Sequence, residues 1–238
     1  MEKALVSMKR ALDLDPGYSR FLLEYDQLCS KAGVSNEDRL DLLEERVELA
    51  EDRDALYVEY ITLLNNTCQY DKALSCLGSH RFHPWEGGEG KVSTQYRYAL
   101  TQKAIQLLDE KKYDEAIQLL EQTKVYPENL GEGKLPNVQD NIADYYLGLA
   151  YEAKGESDTA RECFLRASVG LDEPGSVLYY NDQPSDTILS QGLANEKLGN
   201  TASDRKTFNQ LISFGERNVF DKVGNDYIAV SLPDFEVF

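Results

Sequence analysis

The chain has 238 residues, 42% of them hydrophobic, and a formal net charge of −17 at pH 7. Such an excess of carboxylates repels phosphate, which argues against nucleic acid and anionic membrane surfaces as partners. No run of about 18 apolar residues is present to span a bilayer, and with only 7 prolines and 16 glycines most of the chain can be helical.

Met1 to Arg10 lacks the apolar core of a secretion signal. Ala4, Met8, Ala11 and Leu12 recur at helical spacing, and Pro16 follows as at a helix end. This start predicts the second helix of a pair without its first, so that the chain is either a fragment of a longer protein or one with an unusual cap. Two helices are expected next, at Ser19–Ala32 and Glu37–Ala50, around Gly33. Ser35 and Asn36 lengthen that turn by two residues and offer an N-cap.

A recurring frame then begins. Leu64, Tyr70, Ala73 and Leu77 return as Leu107, Tyr113, Ala116 and Leu120. The fullest version reads Leu147-Gly148, Tyr151, Gly155, Ala160, Phe164 and Ala167. Gly148 and Ala160 are small where two antiparallel helices cross, Tyr151 and Phe164 fill the space beside them, and Gly155 ends the first helix in a left-handed conformation. Gly192, Gly199 and Phe208 form a weaker copy with Asp204 in place of the small alanine. The last stretch, Asp226 to Leu232, alternates like a strand before Pro233 and the apolar Phe235, Val237 and Phe238, and is expected to cap the array.

The links between pairs repeat too. Gly88-Glu89-Gly90-Lys91 returns 43 residues later as Gly131-Glu132-Gly133-Lys134, with Asp172 to Ser176 as a looser relative. This predicts a shared loop conformation built on glycine at positive φ and a row of loops along one edge.

The frame resembles the tetratricopeptide repeat. That family implies an all-α, right-handed superhelical solenoid of antiparallel helix pairs, here with long inter-repeat loops and a short extended C-terminal tail. The expected organisation is a remnant helix in 1–16, pairs in 19–50, 54–80, 94–127, 138–171 and 184–216, and a capping tail in 217–238. Ala73, Ala116, Ala160 and Asp204 fall 43, 44 and 44 residues apart, longer than the usual period of about 34, and the surplus lies in the links. With the link Phe82 to Lys91, the chain also looks like the repeat region of large uncharacterised bacterial proteins in which a carbohydrate-enzyme-like β domain precedes the repeats.

The resemblance implies a non-catalytic interaction or scaffolding module that docks a peptide, a protein, or a domain of its own full-length chain. First helices line the inner face of such arrays, with inward residues at i, i+3, i+7 and i+10. The groove candidates are Val58, Thr62 and Asn65, then Tyr98, Thr101 and Ile105, then Tyr145, Leu149 and Glu152, and the same spacing picks out Asp186, Leu189, Leu193 and Glu196. Loop-edge candidates are His83, Trp85, Glu89, Lys91, Glu132 and Lys134, with the lone Trp85 either an anchor for a partner or a plug between units. A homodimer through the N-terminal repeat stays open.

Enzyme motifs are absent. Val92 and Leu135 follow the two Gly-Glu-Gly-Lys runs where a phosphate loop needs Ser or Thr. His80 and His83 are the only histidines, and no G-x-S-x-G elbow exists. The alternative function is carbohydrate binding in the loops, with Glu86, Glu89 and Glu132 supplying carboxylates. No cofactor or metal is expected. Cys29, Cys68, Cys76 and Cys163 form no C-x-x-C pair and read as reduced thiols of a cytoplasmic protein.

Overall fold

The computed structural model describes residues 1–171, 173–175 and 182–220. These residues form twelve α-helices and no strand: α1 (Glu2–Leu14), α2 (Ser19–Lys31), α3 (Asn36–Glu44), α4 (Val47–Glu51), α5 (Asp54–Asn66), α6 (Tyr70–Ser79), α7 (Lys91–Asp109), α8 (Tyr113–Gln122), α9 (Asn141–Lys154), α10 (Ser157–Ala167), α11 (Ser185–Lys197) and α12 (Thr201–Asn218). The expected tail strand at Asp226–Leu232, and Asp172 and Ser176 of the third link, lie outside the described residues. No helix of the described residues is long and apolar enough to cross a membrane. The all-α class is therefore as expected, with helices packed in neighbouring pairs.

The chain divides into two compact units. The first comprises Met1–Ala99 with Pro127–Glu132, and the second Leu100–Tyr126 with Gly133–Phe238. In the first, α1 packs on α2, α5 receives α2, α3 and α4, and α6 closes on α5. Its core holds Leu22, Leu43, Leu56, Ile61, Leu64, Ala73 and Leu77, all essentially without exposed surface. In the second, α9 packs against α8, α10 and α11, and α12 closes on α11. Ala116 and Leu120 of α8 meet Ala143 and Leu147 of α9 and Cys163 of α10.

Five turns from a first helix into a second share one backbone device. Gly33, Cys68, Lys111, Gly155 and Gly199 all have φ between 61° and 82°. In each, the N–H of the left-handed residue donates three residues back, and the next N–H donates five back, as in Gly155 to Glu152 and Glu156 to Tyr151. This is the Schellman arrangement, which satisfies carbonyls that a helix end leaves unpaired. The next helix starts two residues after the left-handed residue in four of the turns, and three after it at Gly33. That extra residue is Ser35, whose Oγ accepts from the Asp38 N–H at 3.1 Å.

Small residues sit where the pairs cross. A Cβ on Gly148 would lie 2.4 Å from the Phe164 ring, and one on Gly192 would lie 2.5 Å from Phe208. Ala73, Ala116 and Ala160 are buried at the matching positions of the second helices, and Asp204 is buried there in α12. The helix expected over Glu37–Ala50 is broken. Arg46 leaves the helical region at φ −133° between α3 and α4, and its guanidinium donates to the Leu42 carbonyl at 3.3 Å.

A buried ion pair, absent from the sequence reading, joins α2 to α3. Asp26 has no exposed surface, and Arg39 donates to both of its oxygens, Nε to Oδ1 at 2.9 Å and Nη2 to Oδ2 at 2.7 Å. Glu59 of α5 lies 3.6 Å from the same guanidinium. Burial opposes the Arg39 charge, but hydrogen bonding and attraction to Asp26 and Glu59 outweigh it and raise its pKa.

Candidate functional site: a loop platform and a helix face

The link after α6 belongs to the first unit and is held down residue by residue. Asp54, at the start of α5, accepts from the His83 backbone N–H at 2.7 Å and contacts His80 Nε2 at 2.6 Å and His83 Nδ1 at 3.3 Å. Burial would raise the Asp54 pKa, yet these hydrogen bonds hold it below its ordinary value. Phe82 is buried beside the rings of Tyr57 and His80. The Asn129 side chain donates to the Leu77 and His80 carbonyls at 2.7 and 2.8 Å, and the Asn129 backbone carbonyl accepts from the Phe82 N–H at 2.8 Å.

The two Gly-Glu-Gly-Lys runs do not share a conformation, contrary to expectation. Positive φ falls on Gly87 and Gly90 around the first run but on Gly131 in the second. Gly90 leads straight into α7, whereas Gly131 ends a short 3₁₀ turn at Glu128–Leu130. The flanking elements set the backbone, so equal letters do equal work only where their neighbours match. A side chain on Gly131 would meet the Phe82 carbonyl at 2.6 Å, so this glycine is fixed both by its φ and by the close approach.

The second run serves the first. Glu132 accepts from the Gly90 and Ser93 backbone N–H groups at 2.8 and 2.7 Å, filling donors at the start of α7. Lys134, in the second unit, donates to the Lys124 carbonyl at 3.3 Å and pairs with Asp140 at 2.5 Å. Trp85 is half-buried, and its indole lies over Gly88, where a Cβ would come within 2.1 Å of the ring. Lys91 is half-buried in the first turn of α7. His83 and Glu89 are exposed.

The groove candidates separate by burial. Val58 and Asn65 are 3% and 1% exposed, and Thr101 is buried as well. Asn65 donates to the Gln95 carbonyl and side-chain oxygen at 3.2 and 2.8 Å. These three side chains are buried, each within its own unit. Thr62 and Ile105 are half-buried, and Tyr98 is 42% exposed.

On α9 and α11 the stripe is partly open. On α9, Tyr145 and Leu149 are half-buried and Glu152 is exposed. Tyr145 and Leu149 pack on a cluster of Ala160, Phe164, Ala167 and Ala194. The Tyr145 phenol has a raised pKa, first from burial and then from the charges of Tyr146, Glu196 and Glu152. On α11, which packs against α9, Asp186 and Glu196 are exposed and Leu189 is 46% exposed. Lys197 bridges to Glu152 at 2.5 Å.

Asp144 of α9, which sequence reasoning did not single out, is buried. It pairs with Lys124 at 2.9 Å and Arg166 at 3.0 Å, tying α9 to the end of α8 and to α10. Its position four residues before Gly148 gave no sequence signal, since both partners are distant in the chain. Among the described residues no group of three or more His, Cys, Asp or Glu side chains is arranged to hold a metal ion.

Among solved structures, the MamA RS-1 ArsTM double mutant is similar over 85% of this chain and 97% of its own, at 18% identity and a TM-score of 0.43. The segment that builds α9 and α10, with the Gly148–Phe164 crossing and the left-handed Gly155 between them, matches a family model over residues 143–167, and that family is the tetratricopeptide repeat.

Proposed function

We propose that the chain is a non-catalytic protein-interaction module that takes a peptide or protein segment, or another domain of its own full-length chain, on the open face of its first helices. The observation that carries this reading is α9. Within the matched repeat it spends Leu147, Gly148 and Ala150 on the core and leaves Tyr145, Leu149 and Glu152 facing outward in part. A stripe of half-exposed apolar and aromatic side chains on a scaffold ordered by packing suits binding, because little side-chain entropy is lost on contact. In the loops, Glu132 and Lys134 are engaged by backbone and side chain, which favours a packing role there over a carbohydrate site. The bacterial repeat regions that the link 82–91 resembles are consistent with a partner domain on the same chain, and the four free cysteines with a reducing compartment.

The test is selection of random twelve-residue peptides on the full chain, followed by titration against the wild type and against Leu189→Asn and Tyr145→Ala. Peptides that saturate the wild type and lose affinity in both variants, at unchanged helical circular dichroism, support the reading. Failure to select any saturating peptide, or binders indifferent to both variants, overturns it.

A further inference from the structure

The face on α9 and α11 has a charge pattern as well as an apolar centre. The spacing i, i+3, i+7, i+10 puts Asp186, Leu189, Leu193 and Glu196 along one side of α11, and α11 packs directly on α9. Glu152 and Glu196 are equivalent residues of successive pairs, 44 positions apart, and Lys197, next to Glu196, reaches Glu152 at 2.5 Å. The exposed charges are thus three carboxylates, Glu152, Asp186 and Glu196, against one ammonium, Lys197, which is bound to Glu152. The other nearby cation, Lys154, is taken by Asp114 at 2.7 Å and Glu156 at 2.9 Å. Leu189 stands exposed among these acids in a chain whose net charge is −17.

Resting on the function proposed above, we infer that this face is built for a cationic protein segment whose apolar side chains cover Tyr145, Leu149 and Leu189 while flanking lysines or arginines meet Glu196, Asp186 and the outer side of Glu152. The apolar contact supplies the burial, and the carboxylates choose the sign of the partner and speed its approach. A neutral apolar segment gains only the first term. An acidic one is repelled by the face and by the chain as a whole.

The same peptide selection decides the matter through a second readout, the charge of what is selected. Binders are expected to carry Lys or Arg on both sides of Leu, Ile or Phe. Each Lys→Gln change in a selected peptide weakens binding about two- to fivefold, the range of an exposed ion pair, and the difference shrinks as salt rises from about 0.05 to 0.5 M. The protein variant Glu196→Lys should shift selection toward neutral or acidic peptides. Neutral or acidic binders that still depend on Leu189 would overturn the charge inference and leave the interaction function standing. Binders that ignore Leu189, or no binders at all, remove both.

Discussion

Cutting the Asp26–Arg39 pair from either end should give unequal losses, and the inequality follows from Glu59. In Asp26→Ala the guanidinium stays buried, with 8% of its side chain exposed, but keeps Glu59 at 3.6 Å. In Arg39→Ala the Asp26 carboxylate, with no exposed surface, loses both donors at 2.7–2.9 Å. Breaking a buried pair from one side costs about 3–5 kcal/mol. The arginine deletion belongs at the top of that range and the aspartate deletion at the bottom, near ~3 kcal/mol. Removing both charges together, as in Asp26→Leu with Arg39→Met, should be close to neutral. The assay is urea unfolding followed by tryptophan emission, because Trp85, the only tryptophan, lies in the same unit as the pair. With a urea slope of about 1–3 kcal/mol per M, a loss of about 3 kcal/mol lowers the midpoint by about 1–3 M. A double variant as unstable as the worse single one, or an Asp26→Ala loss larger than that of Arg39→Ala, would refute the argument.

Further predictions concern the turns, the helix crossing and pH. Cys68 and Lys111 hold φ of 61° and 62° where the three equivalent residues are glycine, so Cys68→Gly and Lys111→Gly should each raise stability by about 0.5–1 kcal/mol, whereas Gly155→Ala should lower it by about 1–2 kcal/mol. Calorimetric melting distinguishes the two directions. Gly148→Ala puts a methyl 2.4 Å from the Phe164 ring and should cost about 1–3 kcal/mol, with part of the loss recovered when Phe164→Leu is added. Asp54 has a depressed pKa in the folded chain, so its contribution is present above the unfolded carboxylate value of about 3.9 and is lost as pH falls through the folded value. Urea midpoints measured from about pH 6 downward should therefore drop less steeply for Asp54→Asn than for the wild type, and parallel curves would contradict this account.

What the sequence conveyed about the fold came from residues whose identity is dictated by a neighbour they touch. Gly148 must be small because Phe164 lies on it, and Gly155 can turn left-handed without strain, so both were readable. Cys68 and Lys111 occupy the same turn conformation with side chains that disfavour it, and only the backbone reveals that they belong to the series. The Asp26–Arg39 pair was invisible because neither spacing nor composition says which of many charges on two helices will face inward. Burial divided the site candidates for a similar reason. A helical stripe gives the side of the helix, but whether Val58 or Leu189 is covered depends on what packs across it. The Gly-Glu-Gly-Lys runs misled because the conformation of a loop is set by the helices it joins.

The left-handed turns also say where this molecule can be cut and rejoined. From Cys68, Lys111, Gly155 and Gly199 the second helix always begins two residues on, so each hairpin has one fixed turn length, and variation falls on the lengths of the helices and of the links. A recombinant array spliced within those links would inherit every hairpin whole, while a junction one residue off inside a turn would forfeit two hydrogen bonds and the direction of the returning helix. The hairpin, rather than the full 43- or 44-residue period, is the natural unit of exchange.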